Sequence, residues 1–334
     1  MPDRIGLYLG DTYPIRDTIR FVQHAEARGF ETIWQAENDL ARDATIPMAA
    51  YATVTSRIKI GAGVMNIWTR NVATIAATFA SLDDLATDRI LCGLGTWHDP
   101  LASQVGIQRD RPLLAMREVI QALRGFFAGE HVYLQGQHVR ISNIGLARRV
   151  DRQTRHIPIY IAATSSQMMA LCGEIGDGIL LNYMVSPEYT AAAIKQLAVG
   201  AYKSNRTLDN IDRVQLILCS TSRNREEALN RARRIVIQYI RQQPTLMRAS
   251  GIRQELIDEV HQLIPQVPSA SQITSAMYLI SDEVVQLVTA AGTPEECRAK
   301  IREYINAGTT CPVLYPVGSD VNFIIDAFAY GYST

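Results

Sequence analysis

Ile58-Lys59-Ile60-Gly61-Ala62, the apolar periodicity of Ala73–Thr87, and Ile90-Leu91-Cys92-Gly93-Leu94 together decide the fold. Two short apolar runs bracket a helical pattern. Antiparallel strands need only a tight turn between them, whereas a helix-length crossover starts a parallel strand. The same unit recurs in both directions. Ile5–Leu9, Thr32–Ala36, Ile157–Ala162, Gly178–Leu181, Val214–Cys219 and Val313–Tyr315 bring the strand-like runs to eight. Helical patterns fall at about Arg16–Arg28, Ile46–Thr55, Pro112–Phe127, Ser166–Ile175, Pro187–Lys203, Arg225–Arg241, Asp282–Ala291, Pro294–Ala307 and Val321–Ala329. In the fourth helix Leu113, Met116, Ile120, Leu123 and Phe127 recur at spacings of three and four. Gly29 is placed to stop the first helix, and Pro294 with Glu295-Glu296 to open a later one.

An open doubly wound sheet is the competing arrangement. Eight units without a break in composition favour one closed (β/α)8 barrel domain over residues 1–334. Two insertions interrupt it, at about 130–155 and 243–280. The first holds a β-hairpin, Val132–Leu134 with His138–Ile141 around Gln135-Gly136-Gln137. The second carries Pro244, Pro265 and Pro268 and only weak periodicity.

Composition narrows the function. Of 334 residues 47% are hydrophobic and 20% charged, enough apolar material for a large core and too much for a disordered chain. Lys+Arg 33 balance Asp+Glu 33, which argues against a nucleic-acid partner, since displacing counterions needs excess positive charge. No apolar run reaches the ~20 residues of a membrane span, and the first residues do not read as a signal peptide. The five cysteines are scattered and form no CxxC pair, so neither a disulfide framework nor a metal site is expected, and the expected home is the cytoplasm. His24, His131, His138, His156 and His261 show no HxH or HExxH spacing.

In a barrel of this kind the chemistry sits where the strands end. The exits carry Gly10-Asp11-Thr12, Glu37-Asn38-Asp39, Gly61 through Arg70, Gly95 through Asp99, Ala162 through Ser166, and Asn182-Tyr183. Gly61 and Gly63 either let something flat approach the backbone or serve a bulge in the strand. Thr164-Ser165-Ser166 opens a helix, where hydroxyls cap free N–H groups and can also join a phosphate site. His98 either supplies a proton or is a polar surface residue. Glu37 is a general acid or base, or it caps the next helix.

Lys59-Ile60-Gly61-Ala62-Gly63-Val64-Met65-Asn66-Ile67-Trp68-Thr69-Arg70-Asn71 resembles the corresponding segment of deazaflavin-dependent methylene-tetrahydromethanopterin reductases, within the bacterial luciferase-like superfamily. Ile157 through Ala163, Gly173 through Gly178 and Gly292 through Glu296 agree in order. The resemblance implies an oxidoreductase barrel that holds the deazaflavin coenzyme F420, with FMN as the alternative, and passes a hydride to or from a small organic substrate. It implies a homodimer and a cis peptide at Gly63–Val64. The implied cofactor residues are Glu37, Asn38, Gly63, Val64, Met65, Asn66, Thr96, Trp97, Ala162, Ala163, Thr164, Ser165 and Ser166; the implied catalytic ones are Glu37 and His98. The chain departs from that pattern at Tyr8, where the family carries a Glu, at His98, where it carries an Asp, and at Ser165-Ser166, where it has Gly-Pro. An FMN-dependent monooxygenase and a flavin-binding barrel without turnover are the competing functions.

Overall fold

The computed structural model describes residues 4–37, 40–147, 154–265, 268–318 and 320–329. Eight parallel strands close into a barrel: β1 Gly6–Leu9, β2 Thr32–Gln35, β3 Lys59–Ala62, β4 Ile90–Gly95, β5 Ile159–Ala163, β6 Gly178–Leu181, β7 Asp212–Thr221 and β8 Cys311–Pro316. Each pairs with its successor and β8 returns to β1, Gly6 opposite Val313. The crossover helices are α1 Ile15–Ala27, α2 Thr45–Val54, α3 Val72–Leu85, α4 Pro112–Phe127, α5 Ser166–Ile175, α6 Pro187–Lys203 and α7 Arg225–Gln242; α8 Pro294–Asn306 precedes β8 and α9 Val321–Ala327 follows it. Among the described residues no helix is long and apolar enough to cross a membrane.

Strand alternation sorts the core into two shells. Leu7, Leu9, Ile33, Ile60, Ala62, Ile159 and Ile161 face outward and pack under the helices. Tyr8, Trp34, Leu91, Tyr160, Leu180, Val214, Leu216 and Val313 face inward and fill the barrel. Trp34 is fully buried at its centre, edge-on to Tyr160 with ring centroids 5.1 Å apart. Two inward positions have no side chain, Gly61 because that ring needs the space and Gly93 because neighbouring backbone does. A Cβ on Gly61 would stand 2.5 Å from Trp34, and one on Gly93 1.8 Å from the Ala62 carbonyl oxygen.

The opposite end of the barrel is closed by charge. Arg4 holds Glu31 at 2.7 and 3.1 Å and Asp212 at 2.8 and 3.0 Å, and the Tyr160 hydroxyl donates to Asp212 at 2.9 Å. Burial alone would raise the Asp212 pKa; the Arg4 hydrogen bonds outweigh it and hold the carboxyl below its ordinary range.

The expected hairpin is present as Val132–Gln135 paired antiparallel with Arg140–Ile144. The Glu118 carboxylate of α4 fastens its turn by accepting the N–H groups of Gln137, His138 and Val139. Part of the first insertion, 148–153, lies outside the described residues. The second insertion differs from its weak periodicity. It forms three helices, Pro244–Ala249, Gln254–Leu263 and Ala270–Met277. Pro244 starts the first of them, at the position where a missing N–H costs nothing. Their apolar faces join Val236, Ile237 and Ile240 of α7 in a separate hydrophobic cluster. The helix expected to reach Ala291 ends at Val288. Thr289 turns extended, and Ala290–Gly292 pairs as a short strand along Cys219–Thr221. Gly29, at φ 84°, ends α1 as expected, and Thr293 with Glu296 forms the capping box that opens α8.

Candidate active site

The C-terminal strand ends meet at one mouth. β3 leaves through Gly63 and Val64, joined by a cis peptide, and the chain then runs as Met65–Asn66 beside Leu94 and Gly95 of β4. The expectation of room for a flat ligand fails at Gly61. Gly61 and Gly63 both face inward, and the flat group that approaches Gly61 is the chain's own Trp34. A Cβ on Gly63 would stand 3.1 Å from both Trp34 and the Tyr8 ring.

The open surface lies one step further out. Val64 and Ala162 are half-buried, with Gly95 between them. A Cβ on Gly95 would stand 2.6 Å from Val64 Cγ2 and 3.8 Å from the Ala162 Cβ. Val64 and Ala162 therefore form a floor of small groups at the lip of the barrel, laid over the buried Gly95. Met65 and Ala163 point the other way, into the core beneath the helices, because strand alternation turns them outward. Only their main chain faces the mouth side.

Asn66 is buried and fastens the turn after β3. Its Oδ1 accepts from Trp68 N at 3.0 Å, Thr69 N at 2.9 Å and Thr69 Oγ1 at 3.0 Å. The Trp68 indole then donates to the Thr96 carbonyl at 2.9 Å, and Arg109 donates to the same oxygen at 2.8 Å. Arg109 also pairs with Asp99 at 2.9 Å. The exit of β4 is thus tied down from two sides, with Trp97 half-buried in left-handed backbone, φ 56°. His98 is exposed on this loop, its Nδ1 3.4 Å from the Asp99 carbonyl oxygen.

The Glu37 carboxylate is gripped by Arg70, Nη1 to Oε1 at 2.7 Å and Nη2 to Oε2 at 2.9 Å. It also accepts the N–H of Ala44, the N-cap residue of α2, at 3.1 Å. Of the two readings open from the sequence, the geometry displays the cap. Arg70 reaches Asp43 as well, at 3.0 Å. Its own pKa is raised, first by the hydrogen bonds to Glu37. Asn38 lies outside the described residues.

Thr164, Ser165 and Ser166 are exposed at the start of α5. Ser165 Oγ accepts from Met168 N at 3.3 Å, so capping is observed. The earlier amides of that turn, on Ser166 and Gln167, have no partner inside the helix and sit at its positive end. The Tyr189 hydroxyl holds the Thr164 carbonyl at 3.1 Å.

Several contacts of the mouth were not legible in the sequence, although Arg70 and Tyr183 stand among the strand exits. Arg70 stood inside the quoted segment, yet nothing in its spacing tied it to Glu37. Tyr183 and Tyr315 stand at strand ends and meet ring to ring at 5.3 Å, while Tyr239 arrives from α7 and packs on Tyr183 at 5.0 Å. Their position at the ends of apolar runs was the available signal. A separate hollow of about 540 Å³ lies outside the barrel between α4 and α5. Its arginines are occupied: Arg117 by Glu174, Arg124 by Asp177, and Arg206 by the carbonyls of Gly173 and Gly176.

Comparison with known proteins agrees with this architecture. A 5,10-methylenetetrahydromethanopterin reductase of Methanolobus tindarius is 28% identical over 306 residues, covering 91% of each chain. An F420-dependent glucose-6-phosphate dehydrogenase of Amycolatopsis mediterranei is 24% identical over 330 residues, 94% of this chain and 92% of that one. The solved coenzyme F420 dependent tetrahydromethanopterin reductase from Methanopyrus kandleri superposes with a TM-score of 0.88 at 23% identity, over 98% of both chains. The profile described as luciferase-like monooxygenase matches residues 1–311, and the chain belongs to that family.

Proposed function

We propose that this protein is an oxidoreductase that moves a hydride between the deazaflavin coenzyme F420 and a small organic substrate at the barrel mouth. The observation that carries the reading is that half-buried Val64 and Ala162 meet over Gly95 and that Ala162 leads, two residues on, into the exposed amino end of α5. A planar ring fits against small groups, and an anionic tail fits a helix start that carries three hydroxyl residues. Names of the relatives, reductases and F420-dependent dehydrogenases, support the same coenzyme.

In this reading Gly63 and Val64 back the ring, Ala162 lies beneath it, and Thr164, Ser165 and Ser166 hold the phosphate. Trp97 and Thr96 border the site from the β4 loop. A deazaflavin held there would supply the hydride chemistry, and the role of the protein would be to bind and orient the partners. Glu37 sets the β2–α2 turn through Arg70, and a proton-transfer role for it requires that clamp to open. His98, on an exposed loop, is the freer candidate for proton exchange. The chain is further proposed to work as a homodimer in the cytoplasm, with sedimentation as the test of its mass; its described cysteines are all free and buried, in keeping with a reducing compartment.

The family's own description favours a second reading, an FMN-dependent monooxygenase on the same floor. Titrating the purified protein with each cofactor separates the two. Tight F420 binding with weak FMN binding is expected. Tight FMN binding without F420 binding rejects the proposal, and cofactor binding without turnover of any substrate leaves a flavin-binding barrel.

A further inference from the structure

Opposite the small-residue floor, the mouth is walled by tyrosine. Tyr8 of β1 packs edge-on against Tyr315 of β8, centroids 4.9 Å apart. Tyr315 meets Tyr183 at 5.3 Å, and Tyr183 meets Tyr239 at 5.0 Å. The four rings run without a break from inside the barrel to α7, which carries the inserted helices.

Their hydroxyls are not equivalent. The Tyr239 oxygen accepts from Asn182 Nδ2 at 2.7 Å, and Tyr8 is 3% exposed. Tyr315 is half-buried, and its hydroxyl lies at the rim beside Gly10, where a Cβ would stand 3.2 Å from it. Among the described residues it makes no hydrogen bond, so the group is presented to whatever enters the mouth. Burial, with Tyr13 and Asp11 nearby, raises its pKa, so the phenol keeps its proton at neutral pH. Arg70 and Arg109, on the other side of the rim, are already paired with Glu37, Asp43 and Asp99. The tyrosine side therefore offers the half-buried rings of Tyr183 and Tyr315, with Tyr8 and Tyr239 packed behind them, and one donor that has no partner among the described residues.

From this the geometry points to an uncharged substrate with a planar or aromatic body and a carbonyl group, its oxygen on the Tyr315 hydroxyl and its body along the half-buried Tyr183, which Tyr239 backs from the core. The inference rests on the hydride-transfer reading. In the reducing direction a hydride, with its electron pair, adds to the carbonyl carbon. The C=O π pair moves to oxygen, oxygen takes the phenolic proton of Tyr315, and the phenolate is reprotonated by water at the half-exposed rim. The reduced deazaflavin is the hydride source and the alcohol is the product.

Acetophenone is the probe. Wild-type protein is expected to bind it, seen by saturation transfer, and to reduce it with reduced F420. Tyr315→Phe removes one oxygen that has no partner among the described residues. It is expected to lower kcat for acetophenone about 100-fold while leaving F420 affinity unchanged. Tyr183→Ala is expected to weaken acetophenone binding about tenfold. The inference is overturned if Tyr315→Phe keeps wild-type kcat, if acetophenone fails to bind, or if the F420-loaded protein binds it without reducing it. Preference for glucose 6-phosphate over acetophenone overturns it as well. Should F420 itself not bind, the hydride-transfer reading fails separately. Acetophenone binding lost in Tyr183→Ala still supports the aromatic wall in that case, and binding unchanged in that variant sinks it.

Discussion

Arg70 and Glu37, separated by 33 positions in the chain, meet in a two-point ion pair at the mouth, both side chains largely shielded at 19% and 10% exposure. This geometry joins the exit of β3 to the exit of β2. It places a carboxylate that reads as catalytic in a structural clamp. Arg70→Ala leaves that carboxylate without its cation. We expect it to cost about 1.5–3 kcal/mol in urea unfolding, the range for hydrogen bonds to charged groups. Adding Glu37→Ala to it is expected to cost less than the sum of the two single changes. Strict additivity in that cycle counts against the clamp.

Two glycines of β4 separate fold from ligand. Gly93→Ala drives a Cβ to 1.8 Å from the Ala62 carbonyl oxygen, backbone that cannot yield cheaply. A loss of about 3 kcal/mol or more is expected, seen as a lower melting temperature. Gly95→Ala meets the half-buried Val64 side chain at 2.6 Å, with no backbone atom among the nearest neighbours of the new Cβ, and Val64 can shift toward the open mouth. That variant is expected to fold and to bind F420 several-fold more weakly. Unchanged affinity would remove Val64 and Gly95 from the ring site.

The start of α5 divides along its hydroxyls. Ser165→Ala deletes the observed cap and is expected to cost about 1 kcal/mol of stability. Thr164→Val and Ser166→Ala leave the cap in place. Their expected effect is a weaker cofactor titration at near-normal stability. Normal affinity in the double variant argues that the anion binds elsewhere.

Acid stability reports on the far end of the barrel. The Asp212 pKa lies below its ordinary value. Its contribution is therefore complete above the unfolded carboxylate range and is lost as pH falls through the folded value. Arg4→Met removes the partner at 2.8 and 3.0 Å, and burial then pushes the carboxyl up. Circular dichroism against pH should show the acid transition moving to higher pH. A transition at the same pH would mean that other carboxylates set it.

Trp34 is the side chain the barrel is built around. Fully buried, it is matched by Gly61 on the neighbouring strand β3. Trp34→Ala is expected to cost about 3–5 kcal/mol, measured by chemical unfolding, as other large-to-small core changes do. Recovery of stability in Trp34→Ala with Gly61→Val would show that the two positions share one volume.

Local pattern carried the architecture of this protein. The eight strand runs, their helices, the hairpin, the cap at Ser165 and the helix start at Pro294 were readable because each depends on neighbours within a few positions of the chain. The insertion at 243–280 was not, because its helices are short and draw stability from packing on α7. The mouth divides in the same way. That residues from eight strand ends converge was written in the strand order. That Arg70 closes on Glu37, that Trp34 fills the space beside Gly61, and that Tyr8, Tyr315, Tyr183 and Tyr239 line up ring to ring was not. Those contacts join residues tens to hundreds of positions apart, and barrel closure alone sets which side chains share a volume and which polar groups find a partner.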